Sequence, residues 1–227
     1  AGYQHWLVKF RAPTEHRDTG AIEYAYSLLA ELAGVKMAAS RLIEINSATG
    51  IERFFSAQRF DRNGNSKIHM MTASGILYAD YSAPSLDYSD LLKATNAFTR
   101  HSEDVERMAR LMVFNALTHN HDDHAKNFAF LHDQGRWTLA PAYDLTYAPV
   151  RGYADERTTS ISGAGVATRK KLKQVCAPFR YLDPDLYIEQ TLDALAGWPT
   201  LCHELEIDNQ QQKLIQRAFD EKYQRLG

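Results

Sequence analysis

Asp122 and Asn127 stand in the densest polar stretch of the chain, His119-Asn-His-Asp-Asp-His-Ala-Lys-Asn127, with the spacing Asp-x-x-x-x-Asn. That spacing suits phosphoryl transfer from ATP. A carboxylate must orient the attacking hydroxyl and accept its proton, while an Asn five residues later and a second Asp further on hold Mg²⁺ against the phosphates. Asp122 is the candidate for the first role, and Asn127 with Asp144 of Leu139-Ala-Pro-Ala-Tyr-Asp144 for the second. The phosphates also need a Lys on a strand braced by a Glu on a helix, for which Lys9 of Trp6-Leu-Val-Lys-Phe10 and Glu23 are the candidates. His121 occupies the place where an Arg usually precedes the catalytic Asp, and His124 and Lys126 share the loop. His119, His121, Asp122, Asp123 and His124 would equally serve as transition-metal ligands, which leaves a metal-dependent hydrolase as an alternative. Five donors within six residues cannot all converge on one ion, and few further His/Asp pairs have ligand spacing.

The elements that must carry these groups are legible as patterns. Trp6, Val8 and Phe10 alternate with Leu7 and Lys9, which predicts a strand with Lys9 inside it. A helix follows, with Asp18 or Thr19 as N-cap, an apolar stripe at Ile22, Tyr26, Leu29 and Ala33, and Gly34 as its stop, so that Glu23 falls in its first turns. Arg41 to Ile45 and Ile51 to Phe60 read as strands joined by a five-residue hairpin loop, Asn46 to Gly50. From about Tyr81 a loop with Pro84, Ser85 and Asp87 introduces a region of helical periodicity. Helices are predicted near Asp87 to Phe98, Glu103 to Thr118, Arg169 to Val175, Pro184 to Ala196 and Gln210 to Leu226. Phe128 to Leu131 and Trp137 to Leu139 read as a short hairpin turning at Gln134-Gly135.

Composition narrows the class. The 227 residues carry 26 Lys+Arg against 28 Asp+Glu, so 26 − 28 gives a net charge of −2, and 44% of residues are hydrophobic. A chain of this size buries roughly 70% of its surface on folding, which excludes a disordered tail protein. Near-neutral charge removes the footprint of a dedicated nucleic-acid binder, and no apolar run approaches the ~20 residues of a membrane helix. Cys176 and Cys202 are too far apart for a CxxC motif, which fits a reducing, cytoplasmic compartment. Plainer readings stand beside the chemical ones. Asp123 reads as a solvated or capping loop residue, Asp61 as a local salt-bridge partner of Arg59 and Arg62, and Arg169-Lys-Lys-Leu-Lys173 as a solvated helix face. Phe128, Phe130, Trp137 and Tyr143 read as core aromatics that buttress the loop, and the cysteines as inert. Gly163-Ala-Gly165 lacks the third Gly and the helix-opening context of a phosphate loop.

Taken together, Asn120-His-Asp-Asp-His-Ala-Lys-Asn127, Leu139-Ala-Pro-Ala-Tyr-Asp144, Arg59-Phe-Asp-Arg62 and Leu7-Val-Lys-Phe10 resemble the HipA-like serine/threonine kinases, toxins of bacterial toxin–antitoxin modules. The resemblance runs along nearly the whole chain. It implies an α+β, protein-kinase-like two-lobed fold: a truncated mixed small lobe over residues 1–80, then a mostly helical large lobe over 81–227, with the site in the cleft between them. It implies Asp122 as catalytic base, Asn127 and Asp144 as Mg²⁺ ligands and Lys9, braced by Glu23, on the ATP phosphates, with His124 and Lys126 in the same loop. The backbone of Gln58 to Phe60 would meet adenine, and Asp61 would lie close to the ribose. The γ-phosphate would pass to a Ser or Thr hydroxyl of a protein, by family analogy an aminoacyl-tRNA synthetase or another translation component. A small DNA-binding antitoxin is the implied partner, so no direct nucleic-acid contact is expected. Relatives of this kind carry a Gly-rich phosphate-covering loop upstream of the strand lysine. With eight residues ahead of Lys9, the chain reads as the kinase core without its N-terminal part. A catalytically inactive module that holds an antitoxin is therefore a further alternative.

Overall fold

The computed structural model describes residues 3–48, 50–77, 86–148, 159–163 and 166–226. The proposed boundary near Tyr81 and most of the Gly163-Ala-Gly165 motif lie outside them.

The alternating N-terminal segment forms β1 (Trp6–Val8), and after it come α1 (Thr19–Leu32), β2 (Ser40–Ser47) and β3 (Gly50–Gln58). These strands make an antiparallel sheet in the order β1-β3-β2, registered by Leu7↔Ala57 and Leu42↔Phe55. Lys9 falls just past the end of β1, yet its N–H still donates to the Phe55 carbonyl at 2.9 Å, so the sheet fixes its backbone. The β2–β3 hairpin pairs as far as Ser47↔Gly50, so its connection is shorter than the five residues its turn-rich sequence predicts. α1 buries Ile22, Tyr26 and Leu29, and the chain leaves it through Ala33 and Gly34, whose φ of 76° a side chain would oppose. Asp18 occupies the N-cap position, but its carboxylate makes no cap hydrogen bond.

A two-residue ribbon, β4 (Arg62–Asn63) and β5 (Ser66–Lys67), leads to β6 (His69–Thr72), α2 (Ala73–Leu77), β7 (Leu86–Asp87), α3 (Tyr88–Thr99) and α4 (Ser102–Leu117). The polar loop and a 3-10 turn at Ala125–Asn127 follow, then β8 (Ala129–Asp133) and β9 (Arg136–Leu139). Gln134 and Gly135 turn this hairpin with φ of 48° and 76°, as a type I′ turn demands. The hairpin is one strand larger than its own sequence suggests, because β6 pairs with β8 to give the order β6-β8-β9. β10 (Thr159–Ser160) lies parallel to β7. α5 (Arg169–Cys176), α6 (Pro184–Leu195), α7 (Trp198–Glu204) and α8 (Asn209–Arg225) complete the fold. The basic face of α5 is tied to α6 by Arg169–Asp185, Arg169–Glu189 and Lys173–Asp185 pairs at 2.7–2.9 Å.

The core forms where α1 meets the helical region. Tyr26 of α1, Phe114 of α4, Trp198 of α7 and Phe219 of α8 pack with ring centroids 5.7–6.4 Å apart. Cys176 and Cys202 are buried free thiols pushed up to about 12 by burial, which makes them inert as nucleophiles. Among the described residues, no helix is long and apolar enough to cross a membrane.

Candidate active site

The sheet holds Lys9 against the first turns of α1, and its Nζ meets the Glu23 Oε1 at 2.5 Å while also donating to the Asp144 carboxylate. Residues 9, 23 and 144 thus converge from a strand end, a helix and a distant loop. Burial pulls the Lys9 pKa down, but the two carboxylates outweigh it and leave the ammonium raised above its ordinary value. Burial also pushes Glu23 up to about 6, although Lys9 works against that rise. Asp144 adopts φ of 59°, a left-handed conformation that costs a non-glycine residue about 1–2 kcal/mol. The loop carrying it is held from behind, because the Ala142 N–H donates to the Lys36 carbonyl at 2.8 Å beside a Met37↔Ala142 bridge.

The polar loop divides its residues between the site and the interior. Asp122 is exposed, and partial burial of its carboxyl raises its pKa; His124 opposes the rise, Asp144 and Asp123 add to it, and Lys9 opposes it. His124 Nε2 lies 3.9 Å from Asp122 Oδ1, close enough for charge coupling and too far for a hydrogen bond. Asn127 Nδ2 donates to the Asp122 carbonyl at 2.8 Å, which leaves the amide oxygen for another ligand. The Lys126 side chain is exposed, and its carbonyl accepts from Tyr143 Oη at 2.5 Å, stitching the loop to the residue before Asp144.

Asp123 departs from its predicted role as a solvated cap. It is 1% exposed and points inward, accepting from Tyr88 Oη at 2.8 Å and from the Thr159 N–H at 3.2 Å. Asn115 donates to Tyr88 Oη at 2.9 Å and accepts from Asn120 at 3.0 Å, so α3, α4, the loop and β10 share one buried polar network. Sequence reasoning passed over Tyr88 and Asn115. The one signal was Asn115 itself, a polar residue inside the apolar run Leu111-Met-Val-Phe-Asn-Ala-Leu117. His119 and His121 stack on each other at 4.2 Å. Among the described residues, no three His, Cys, Asp or Glu side chains are placed to hold a metal ion.

Beside Lys9 and Asp144 opens a cavity of about 350 Å³. Leu7, Met37, Ala38, Phe55, Ala57, Met70 and Ala142 give it apolar walls, and Gln58 to Asp61 form a rim. The Gln58 and Arg59 N–H groups already donate to Ala39 and His5 carbonyls, both at 2.8 Å. The Asp61 carbonyl is likewise taken up, by the Ile68 N–H at 3.0 Å and by Arg62 at 2.8 Å, so a ligand ring meeting this rim would find the Phe60 N–H between them. Tyr143 reaches the same cavity, its ring tilted against that of Phe60 with centroids 5.6 Å apart, so it lines the cavity whereas Phe128 and Phe130 are buried core. Asp61 is clasped by Arg59 at 2.6 and 2.8 Å and by Arg62 at 2.5 Å, and the Arg59 bonds hold its carboxyl below the ordinary range.

Known proteins share the fold and family of this chain. The chain is 23% identical over 151 residues, 62% of its own length and 36% of the relative's, to a Sinorhizobium fredii protein named "Putative kinase Y4dM". HipA of Shewanella oneidensis MR-1, solved with HipB and operator DNA as a toxin–antitoxin system, superposes with a TM-score of 0.69 at 18% identity, covering 97% of this chain and 57% of that one. The Helicobacter pylori proinflammatory kinase CtkA superposes with a TM-score of 0.51 at 11% identity over 97% of this chain and 91% of that one. The chain thus spans about a third of its curated relative and somewhat more than half of the Shewanella HipA. Both structural matches establish a kinase-like mixed α/β fold. With the family of the HipA-like C-terminal domain matching residues 1–224, the chain belongs to that family.

Proposed function

We propose that this chain is the catalytic core of an ATP- and Mg²⁺-dependent serine/threonine protein kinase. The observation that carries the reading is the convergence of Lys9, Glu23 and Asp144 at the mouth of an apolar cavity, with the Asp122–Asn127 loop coupled electrostatically to it. The residues suit a hard cation: Asn127 has its amide oxygen to spare, and Asp144 engages Lys9 through one oxygen only. Asn127 and Asp144 would hold Mg²⁺, which when bound neutralises phosphate charge. Lys9, kept charged by its two carboxylates, grips the phosphates, and the cavity takes the adenine with Phe60 at its rim. Asp122 accepts the proton of the attacking hydroxyl as the new O–P bond forms and the bond between the γ-phosphorus and the bridging oxygen breaks, its electron pair leaving with ADP. His124 adjusts the charge of that base, and Lys126 lies on the exposed side of the loop, where a protein substrate would approach.

The fold reads as a two-lobed kinase with the site in its cleft. The substrate is a protein, by family analogy a component of translation, and the setting is the cytoplasm. The Shewanella HipA was solved with HipB and DNA, which supports a small DNA-binding antitoxin as partner here, with no direct nucleic-acid contact by this chain.

Asp122→Asn is expected to lower phosphate transfer by about 10³-fold or more while leaving nucleotide affinity within about 3-fold, measured by radiolabel transfer and by titration. Asp144→Asn is expected to weaken Mg²⁺-dependent nucleotide binding itself. Transfer retained in the first variant would remove Asp122 from its role, and a wild-type chain that binds no nucleotide would leave an inactive, partner-holding module.

A further inference from the structure

Asp18 and Arg53, neither of which lines the cavity, form a buried ion pair at the start of α1 and the middle of β3. Asp18 is 0% exposed and Arg53 8%. Each side chain also reaches into the helical region. Arg53 donates to the Leu205 carbonyl and, at 3.3 Å, to that of Glu206, while the second Asp18 oxygen accepts from the Asp208 N–H at 2.9 Å. All three lie in the turn between α7 and α8, where Glu206 takes a left-handed φ of 49°. The strand side is equally tight, since a Cβ at Gly20 would sit 2.5 Å from the Arg53 carbonyl oxygen. The first turn of α1 is therefore bolted simultaneously to β3 and to the α7–α8 turn. Glu23 projects from the next turn of the same helix toward Lys9.

Two desolvated charges are weak as simple stabilisers, because a well-packed apolar pair in their place is often as stable. What an ion pair with further main-chain bonds supplies is a fixed position and register. We infer that Asp18 and Arg53 are positioning residues that lock α1 in the placement where Glu23 engages Lys9 and, through it, Asp144. This rests on the reading of Lys9, Glu23 and Asp144 as the phosphate-gripping set. In it, the helix that carries the bracing Glu is a fixed part.

The test is a double-mutant cycle on the full chain, read by the affinity for a magnesium complex of a non-hydrolysable ATP analogue and by hydrogen exchange of residues 19–32. The variants are Glu23→Gln, the pair Asp18→Asn/Arg53→Met, which leaves no lone buried charge, and their combination. The pair is expected to weaken binding about 10-fold, and adding Glu23→Gln to it to cost less than about 2-fold more, because Glu23 is already out of place. Amides of the first two turns of α1 are expected to exchange at least about 10-fold faster in the pair. Arg53→Lys, which keeps the charge but loses the fork, is expected to fall between wild type and the pair. A Glu23→Gln penalty that is the same in both backgrounds would overturn the inference, as would unchanged exchange in α1. Should the pair fail to fold, Arg53→Lys takes its place in the cycle, and an unchanged Glu23→Gln penalty or unchanged exchange overturns the inference there too. Absence of nucleotide binding by the wild-type chain would refute the kinase reading, and the exchange measurement would still decide whether the ion pair holds the helix.

Discussion

At the scale of single residues, the charge state of Glu23 couples pH to both binding and stability. Its carboxyl sits at about 6 in the folded chain against an ordinary 4.5. Its bond to Lys9 as an ion pair therefore forms as pH rises through about 6, and nucleotide affinity is expected to climb over the same interval. Stability runs the other way. A folded pKa above the unfolded one means the protonated form favours the folded state, an advantage complete below about 4.5 and lost as pH rises through about 6. The change is about 2 kcal/mol. Melting curves across this window should show the decline, and Glu23→Gln should flatten it. Tyr88 offers a second probe. Its hydroxyl holds Asp123 next to the catalytic candidate Asp122, and Tyr88 is not among the residues that line the apolar cavity. Tyr88→Phe removes one oxygen and with it the buried hydrogen bonds to Asp123 and from Asn115, so about 1–3 kcal/mol of stability should go. Turnover should fall about 10-fold or more with KM for ATP unchanged within about 2-fold, as steady-state kinetics would report.

At the scale of elements, α1 is the part whose placement matters most, and its closest contact is with β3. Gly20→Ala would drive a methyl to 2.5 Å from the Arg53 carbonyl oxygen. A loss of about 1–3 kcal/mol is expected in urea unfolding, against the small gain that Gly→Ala gives in an open helix. Most long elements were legible because each states its own period: α1, α3, α4, α6 and α8 all match their apolar spacing within a few residues. α7 escaped because Gly197-Trp-Pro199 reads as a break, although Pro is at home in the first turn of a helix. β6, spelled His69-Met-Met-Thr72, has weak strand propensity and exists through its pairing with β8, while β7 and β10 are too short to carry a period. The same division runs through the site. The polar loop that carries the candidates Asp122, His124 and Asn127 was visible as a cluster because six contiguous residues hold them, whereas the Asp18–Arg53 and Tyr88–Asp123 pairings each join residues 35 apart in sequence. A charge at a helix start looks like a cap until the fold supplies an arginine.

At the scale of the whole molecule, the aromatic cluster of Tyr26, Phe114, Trp198 and Phe219 joins α1 to the helical region. Trp198 is fully buried, with its indole N–H donating to the Gln212 carbonyl at 3.2 Å. Trp198→Ala is expected to cost about 3–5 kcal/mol in equilibrium unfolding, with α1 and α8 losing hydrogen-exchange protection together. The strand β6 ties the chain together in a different way, for it precedes residue 80 in sequence and yet borders β8. Dissecting the chain near that residue would not yield two self-sufficient pieces. The first would carry β6 without its neighbour, the second β8 with a bare edge, and each exposed ladder would be a template for the other. Co-expressed as separate polypeptides, the two pieces should find each other by strand complementation, and each alone should be aggregation-prone.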